Sequence, residues 1–535
     1  MKIGIFLGYG PQVILNKEGL GRYIAGLLKG FMKKDNTVTI ACPYWLNDSL
    51  EDLFNDFSVD KEKVFFVQTK KNPLIWEIFK IYNNWKKKKS KSKILIILKE
   101  KVYEIVKNSV ERIVACKLWP VLLIISASGF IVSIISAVVV KIIKIINRIL
   151  FFRVLNIARK IVDILLAKLK SIFNIDDALL LIFNLMLDSE NNELIKKINK
   201  LGQCDVWFIP SIFWPQVNNI KNGIVVINAP DLVSENYPVG FSDVYNANNA
   251  IDKCRKTLRG AEYFITYCEY IKKSLLMDEC SIRSSHSVAI AHADNSMLDY
   301  INIDKRIVGS STINYNKKFS RGIIQGNLYK CSADLWYKFN ICTDNMHYIF
   351  YASQCRPHKN MLNLIKAYEY LLRKKFIRYK LFLTGSSLSK EIKEYIKEHC
   401  LNNEVIIFPA VPAKVLAALY CCADLVVNPT LYEGGFPFTF GEGMSVGTPS
   451  IMSDIPQTRD VLSNAGLDEI MFDPYNWLEM ANKIEWGLKN KEYLYDLELP
   501  LYEQMSKRTY EVVADDYIKA FEYFIELDKK EKSEK

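Results

Sequence analysis

Two glutamates stand on either side of a glycine-bearing loop in the second half of the chain. Glu433 opens the loop E-G-G-F-P (residues 433–437), and Glu442 follows nine positions later, in the expected first turn of a helix that begins near Thr439. Carboxylates held in place accept hydrogen bonds from the hydroxyls of a sugar or a ribose. Free N–H groups at a helix start, beside flexible glycines, suit an anionic ligand. The run Leu425–Val427 predicts a buried strand before the loop, so the stretch predicts a nucleotide-sugar site.

The sequence leaves other interpretations of these residues open. Thr439 to Glu442 also fits a capping box, in which Glu442 satisfies only the helix start. Glu433 also fits an ordinary acidic loop residue. Two glutamates occur as the acid/base pair of glycoside hydrolases, although such pairs usually sit on separate elements across the sugar.

Two cations precede another predicted helix. Arg356 and Lys359 lie between the predicted strand His347–Ala352 and the predicted helix Met361–Leu372. Arginine binds two phosphate oxygens at once and lysine supplies a point charge, so the pair suits a diphosphate. Solvated loop cations are the alternative interpretation. Gly385 ends the next predicted strand and permits a close backbone approach.

The beginning of the chain has a related pattern. A predicted strand, Lys2–Gly8, is followed by Gly19 and Gly21 and then by the predicted helix Tyr23–Phe31. A strand, a glycine loop and a helix in this order let the backbone approach a phosphate, although such turns also serve structural roles in α/β domains.

The stretch from Glu433 to Glu442, with the Gly and Pro after it, resembles the donor-binding signature of retaining glycosyltransferases of the GT-B fold, family 4. The resemblance implies that Glu433 contacts the donor hexose and that Glu442 contacts the ribose hydroxyls. It also implies that the amides of Gly435 and Phe436 approach the sugar or the diphosphate. The family usually spaces its two glutamates eight apart, and here Gly434 is the extra residue.

The resemblance extends to other loops. It implies that Lys359, with Arg356, binds the donor phosphates, and that the loop holding Gly19 and Gly21 lies between acceptor and diphosphate. We also expect Thr439, near the start of the helix after the glutamate loop, and Gly385 to bind the donor.

Asp231 follows the predicted strand Gly223–Asn228 and is expected on the acceptor side. Pro230 stands where the family usually has His, so Asp231 also fits a simple turn cap. His292, near the next strand end, fits a structural role as well as a functional one.

Composition bounds the remaining possibilities. A chain of 535 residues is long enough for two or more domains. Its 12 cysteines include no C-x-x-C pair, and we expect reduced thiols in the cytosol. No His/Cys cluster has metal-ligand spacing, so we expect no bound metal and no cofactor besides the donor substrate.

The formal charge of +12 is concentrated in one segment, which holds 19 Lys and Arg against 4 Asp and Glu between Lys86 and Lys170. After the charge run Lys86–Lys93 and an amphipathic stretch, Leu118–Val140 has no charged residue and is long enough to span a bilayer, which needs ~20 apolar residues. Lys141–Phe173 is typical of a basic amphipathic helix at a membrane surface.

Basic residues flank both ends of Leu118–Val140, which disfavours a single crossing. We therefore predict a re-entrant or in-plane insertion on anionic lipid. A helix buried in protein is the alternative, and the apolar runs argue against nucleic acid as a partner.

These observations predict an α/β protein of the GT-B fold, with two Rossmann-like domains facing a cleft and a helical membrane-associating insertion in the first. The expected parts are residues 1–85 and 201–335 (first domain, then a linker near 306–330), 86–200 (insertion), 336–510 (donor-binding domain) and 511–535 (a helix returning to the first domain, then a frayed tail from Asp528). The expected activity is hexose transfer, with retention, from a nucleoside diphosphate sugar to a lipid-linked or membrane-proximal glycan acceptor on the cytoplasmic side of the membrane. A non-catalytic membrane adaptor and a nucleotide-sugar epimerase are the alternatives.

Overall fold

The computed structural model describes residues 1–15, 19–34, 36–73, 76, 80, 175–202, 204–233, 247–302, 310–334, 346–385, 388–409 and 411–534. The predicted charge run Lys86–Lys93, the uncharged stretch Leu118–Val140 and the basic helix Lys141–Phe173 lie outside these residues. The chain forms two compact units, one of residues 1–69 and 191–535, the other of residues 70–190. Within the described part of the chain, no helix has the length and apolar character that crossing a bilayer requires.

The first sheet has seven parallel strands in the order β3-β2-β1-β4-β5-β6-β7. They are β1 (Lys2–Phe6), β2 (Thr37–Cys42), β3 (Val64–Gln68), β4 (Val206–Ile209), β5 (Ile224–Asn228), β6 (Tyr263–Thr266) and β7 (Ser287–Ala289). Central strands are short runs of branched and aromatic residues buried on both faces, as expected where helices cover a parallel sheet.

The helices of the first domain occupy the connections between these strands. They are α1 (Gly19–Lys33), α2 (Asn47–Phe57), α3 (Ile175–Ile198) and α4 (Ala247–Gly260), with a turn of α-helix at Glu269–Ile271 that continues as the π-helix Lys272–Glu279. The last turns of α3 belong to the larger unit, where Leu194, Ile195 and Ile198 are buried.

The second sheet has six parallel strands in the order β10-β9-β8-β11-β12-β13. They are β8 (Tyr348–Tyr351), β9 (Lys380–Thr384), β10 (Val405–Phe408), β11 (Leu425–Asn428), β12 (Ser450–Ser453) and β13 (Met471–Phe472). The helices of this half are α5 (Ser310–Asn327), α6 (Met361–Lys374), α7 (Lys390–Glu398), α8 (Ala413–Cys422), α9 (Phe438–Met444), α10 (Pro456–Leu462), α11 (Trp477–Lys489), α12 (Lys491–Ser506) and α13 (Tyr510–Ser533). Two parallel sheets with helices confirm the predicted α/β class.

The predicted irregular linker at 306–330 is wrong for its described part. Residues 310–327 form α5, and Ile324 and Leu328 are buried in the core that β8, β10 and α8 build. The carbonyl oxygen of Lys317 accepts from Cys422 Sγ at the end of α8. Most residues of α5 are polar, which is why the sequence predicted an irregular linker here.

Helix α13 returns to the first domain. Thr509 caps it, because its side chain accepts from the N–H of Val512. Tyr517 OH lies 3.0 Å from Tyr23 OH on α1, and Phe521 packs against Phe208 of β4 with ring centroids 5.9 Å apart. The helix continues to Ser533, so the predicted frayed tail from Asp528 is wrong.

Candidate active site

The loops that follow β8 and β11 meet at the carboxyl edge of the second sheet. These two strands are parallel neighbours, with β9 and β10 beyond one and β12 and β13 beyond the other. Loops diverge at such a reversal of strand order, and α/β proteins bind ligands in the crevice that results. The cationic loop 352–360 and the acidic loop 429–437 therefore lie side by side at this point.

Lys359 and Glu433 form an ion pair between the two loops. Lys359 Nζ lies 2.5 Å from Glu433 Oε1, and each side chain is 17% exposed. Salt screens a largely buried pair of this kind less than a surface pair. Lys359 and Glu433, which the sequence analysis identified in two separate motifs, are thus in direct contact.

Asn360 fixes the backbone beside Lys359. It adopts the left-handed conformation, with φ of 55°, at the end of the 3-10 turn Pro357–Lys359. Its Nδ2 donates to the carbonyl oxygens of Pro429, at 3.0 Å, and of Pro474, at 2.7 Å. Because Asn tolerates this conformation better than most residues, one side chain both ends the turn and joins the cationic loop to the acidic one.

His358 supports the same turn from inside. Burial, with the charges of Lys359 and Arg356, lowers the pKa of His358 to about 3. Its carbonyl oxygen accepts from the N–H of Leu431 at 2.8 Å. The imidazole is therefore neutral, and the charged groups of the loop are Lys359 and the exposed Arg356.

Asp231 joins this charged cluster from the first domain, where it follows β5. Burial raises the pKa of Asp231, and the negative charge of Glu433 raises it too. The N–H of Val233 and the charges of Lys359 and Arg356 act in the opposite direction. The predicted acceptor-side residue thus shares an electrostatic environment with the predicted phosphate-binding residues.

Gly434 brings the two domains into contact at this cluster. A Cβ added at Gly434 would lie 2.8 Å from the carbonyl oxygen of Pro230 and 3.0 Å from Asp231 Oδ2. Such distances leave no room for a side chain. Gly434 of the acidic loop therefore lies against the turn Pro230–Asp231 of the first domain.

His292 contributes to the next part of the interface. Its ring packs against Tyr267 at a tilt of 39°, with centroids 3.9 Å apart, and lies 4.7 Å from the ring of Phe438 in the second domain. A Cβ at Gly435 would lie 2.9 Å from Tyr267 Cβ. Burial, then the charge of Arg508, lowers the pKa of His292 to about 3, so this histidine packs as a neutral ring.

Helix α9 begins at Phe438, next to the predicted start near Thr439, and Glu442 lies in its second turn. Both the predicted first-turn position and the capping box are wrong. Tyr420 OH donates to Glu442 Oε2 at 2.7 Å, and Asn295 Nδ2 donates to Oε1 at 2.5 Å. The carboxylate therefore binds side chains of α8 and of the first domain.

Some of the surroundings of Glu442 favour its neutral form and others favour its charged form. The residue is 6% exposed, and burial raises its pKa. The Tyr420 hydrogen bond and the charge of Arg22, on α1, lower it, whereas the charge of Asp294 raises it. Glu442 is thus the centre of a second cluster, built from both domains.

The other predicted residues have local partners. Thr439 Oγ1 accepts from Asn428 Nδ2 at 2.8 Å, and the ring of Phe436 lies 5.4 Å from that of Phe440. The predicted glycines differ in their surroundings. A Cβ added at Gly21 would collide with the carbonyl oxygen of Leu15, and one at Gly385 would lie 3.2 Å from the carbonyl oxygen of Ser353. A Cβ at Gly19 would meet nothing within 4 Å. For Gly21 and Gly385 these contacts are with the chain itself, and ligand binding by all three stays a prediction.

Sequence reasoning missed Arg22, Asn295 and Tyr420. The predicted glycine loop before Tyr23 is wrong at Gly19 and Gly21, because α1 begins at Gly19 and Arg22 lies in its first turn. Arg22 directly follows the two glycines and Asn295 follows the carboxyl end of β7, so their positions carried a signal. Tyr420 lies inside a core helix and carried none. In the described part of the chain, no group of three His, Cys, Asp or Glu side chains is arranged to hold a metal ion.

Residues 339–512, which contain both loops of the ion pair, match the family model for glycosyl transferases group 1. Over 123 residues the chain is 30% identical to O-antigen chain mannosyltransferase B of Escherichia coli. That match covers 22% of this chain and 32% of the relative, so this chain spans about a third of the relative's length.

Solved structures resemble almost the whole chain. Sucrose-phosphate synthase from Thermosynechococcus elongatus gives a TM-score of 0.55 at 12% identity, covering 98% of this chain and 99% of that one. Anabaena HepE in complex with UDP and glucose gives 0.53 at 11% identity, covering 97% and 98%. At these identities the likeness shows the fold alone.

The two sheets and the interface between their carboxyl edges define the GT-B class. Within that fold, residues 339–512 are similar to glycosyl transferases group 1. The predicted resemblance to glycosyltransferases of the GT-B fold is confirmed by the fold and by this family match.

Proposed function

We propose that the protein is a retaining glycosyltransferase that moves a hexose from a nucleoside diphosphate sugar to a glycan acceptor. The observation that carries the proposal is the Lys359–Glu433 ion pair, which lies at the reversal of strand order and beside Asp231 of the other domain. UDP in the HepE structure and the mannosyltransferase relative support the donor class.

The ion pair explains how one pocket serves both halves of the donor. Without donor, Lys359 and Glu433 satisfy each other. When a nucleoside diphosphate sugar binds, the ammonium group turns to the phosphate oxygens, and Glu433 Oε1 becomes available to the sugar hydroxyls. Each charge keeps a partner in both states, so donor entry leaves no buried charge unpaired.

In the proposed reaction the bond between the anomeric carbon and the diphosphate oxygen breaks, and the acceptor oxygen bonds to that carbon. The acceptor proton passes to the released diphosphate, so no protein base is required. Lys359 and Arg356 stabilise the charge that develops on the diphosphate, the kind of contribution that is usually the largest in catalysis. Asp231, on the opposite side, orients the acceptor hydroxyl.

The family resemblance supports retention. The two cations support metal independence, because they supply the positive charge that a metal would otherwise provide. Product stereochemistry, read from the anomeric coupling constant, tests the first, and transfer in excess EDTA tests the second. An inverted product, or activity lost in EDTA and restored by a divalent cation, would contradict the corresponding part.

A thermal-shift screen tests the donor class. Because a ligand that binds only the folded state raises the melting temperature, we expect one family of UDP-, GDP- or ADP-sugars to raise it and the others to leave it unchanged. The stabilising sugar is then offered with and without membrane extract as acceptor source. Consumption of donor only with extract supports transfer; conversion of donor without extract indicates an epimerase, and no shift with any sugar indicates a non-catalytic adaptor.

We propose further that the acceptor is lipid-linked and that the protein works on the cytoplasmic side of the membrane. The support is the sequence of Lys86–Lys170, with its uncharged stretch between basic segments. A variant without this segment is expected to leave the membrane fraction, whereas a control with Lys86–Lys89 changed to glutamine keeps the apolar stretch and is expected to bind anionic vesicles more weakly. Sedimentation with vesicles measures both. Undiminished sedimentation of the deletion variant would show that the anchor lies elsewhere.

A further inference from the structure

Asn295 connects the first domain to the buried carboxylate of the second. It belongs to the segment after β7, and its Nδ2 donates to Glu442 Oε1 at 2.5 Å. The other carboxylate oxygen accepts from Tyr420 OH, so among the described residues each oxygen has one side-chain donor. An ionised carboxylate accepts about four hydrogen bonds. Glu442 is therefore held from both domains and still has capacity to accept from a ligand.

The segment that carries Asn295 lies closely over α9. A Cβ at Gly441 would lie 3.1 Å from Asp294 Oδ1. The N–H of Met297 donates to Ser445 Oγ at 2.9 Å. A nucleotide hydroxyl that takes the place of Asn295 on Glu442 Oε1 must therefore displace the Asn295 amide, because residues 294–297 lie against this part of the second domain.

We propose that the Asn295 amide occupies the hydrogen-bonding position on Glu442 that a hydroxyl of the nucleotide donor takes, so that Asn295 lowers donor affinity by competition. The inference rests on the proposed function, because it requires a nucleotide donor with hydroxyl groups. Exchange replaces an N–H donor by an O–H donor and leaves the carboxylate paired. In a variant without the Asn295 amide, Glu442 lacks this hydrogen bond as long as no nucleotide is bound, and a nucleotide hydroxyl supplies it on binding.

The change Asn295→Ala is expected to tighten binding of a nucleoside diphosphate by about five- to thirty-fold, the range for one hydrogen bond to a buried group. Isothermal titration calorimetry of the full chain with UDP, GDP and ADP measures the dissociation constants. Asn295→Leu keeps the approximate volume and removes the donor, so it is expected to give the same gain and covers the case in which N295A does not fold.

Ser445→Ala is the matched control. It removes the hydrogen bond from the Met297 N–H and the one that Ser445 Oγ donates to the backbone carbonyl oxygen of Glu442, but it leaves both partners of the Glu442 carboxylate in place. We expect less than a twofold change in nucleotide affinity. A gain in S445A equal to that in N295A would show general loosening of the interface and overturn the competition.

The remaining outcomes are also decisive. If the wild type binds a nucleotide and the Asn295 variants bind it equally or more weakly, Asn295 does not compete, and the proposed function stands without this inference. If the wild type binds none of the three nucleotides, the proposed function itself fails, and the competition with it.

Discussion

Lys359→Ala is expected to lower kcat by about 10²–10³-fold, the cost of removing one group that stabilises charge developing on a leaving group. In the donor-free protein the change leaves Glu433 without its ion-pair partner at 2.5 Å. In the reaction it removes the cation nearest the expected diphosphate. Steady-state transfer with the donor found by thermal shift measures the effect, and full transfer by the variant would refute the phosphate role.

Lys380→Ala provides a matched control for this loss. Lys380 Nζ pairs with Glu404 Oε2 at 2.7 Å, and its side chain is 20% exposed, close to the value for Lys359. It stands at the first residue of β9, at the amino edge of the same sheet. We expect similar loss of stability in both variants but loss of kcat only in K359A. An equal loss of kcat in K380A would attribute the effect to weakened packing.

Gly434→Val is expected to lower kcat by at least about 10²-fold, because small displacements of a positioned group already cost this much. The side chain would collide with the carbonyl oxygen of Pro230, which lies 2.8 Å from the added Cβ, and would push the acidic loop away from the first domain. Binding of the nucleoside diphosphate alone, which has no hexose to meet Glu433, is expected to change little. Transfer kinetics and calorimetry separate these two effects.

Gly202→Val is the control for adding the same side chain at a glycine. A Cβ at Gly202 would meet nothing within 4 Å, so we expect unchanged transfer. If G434V also retained full transfer, the close approach of loop and turn would be irrelevant to the reaction.

The sequence predicted most strands and the loops that carry the ion pair. Strands such as β8 and β11 are short runs of mainly apolar residues, and the predicted strands His347–Ala352 and Leu425–Val427 end within one residue of their bounds in the structure. Glycine and proline mark the loops strongly, so Glu433 and Lys359 could be selected without knowledge of their distance. Their convergence follows from strand order, which a local pattern does not contain.

The second cluster could not be predicted in the same way. Asn295 and Glu442 are 147 positions apart, and their contact depends on how the two domains meet. Glu442 lies one position further into α9 than the sequence predicts, because the helix starts directly after Pro437. Pro437 is the N-cap and makes no side-chain hydrogen bond, so the usual capping signal is missing. A strand as short as β13, with two residues, gives no periodicity to detect.

Translation order gives α13 a particular importance. Residues 510–533 leave the ribosome after every strand of both sheets, yet Tyr517, Phe521 and Phe524 complete the core of the first domain. Until they arrive, Phe208 lacks its contacts with the rings of Tyr517 and Phe521, and only part of this face of the first sheet is covered, by α1 and its neighbours. Domains usually fold in the order of synthesis. Here the core of the first domain is completed only after the strands of the second domain have been made. A chain cut short before residue 510 contains the strands of both sheets but lacks the helix that completes the first core.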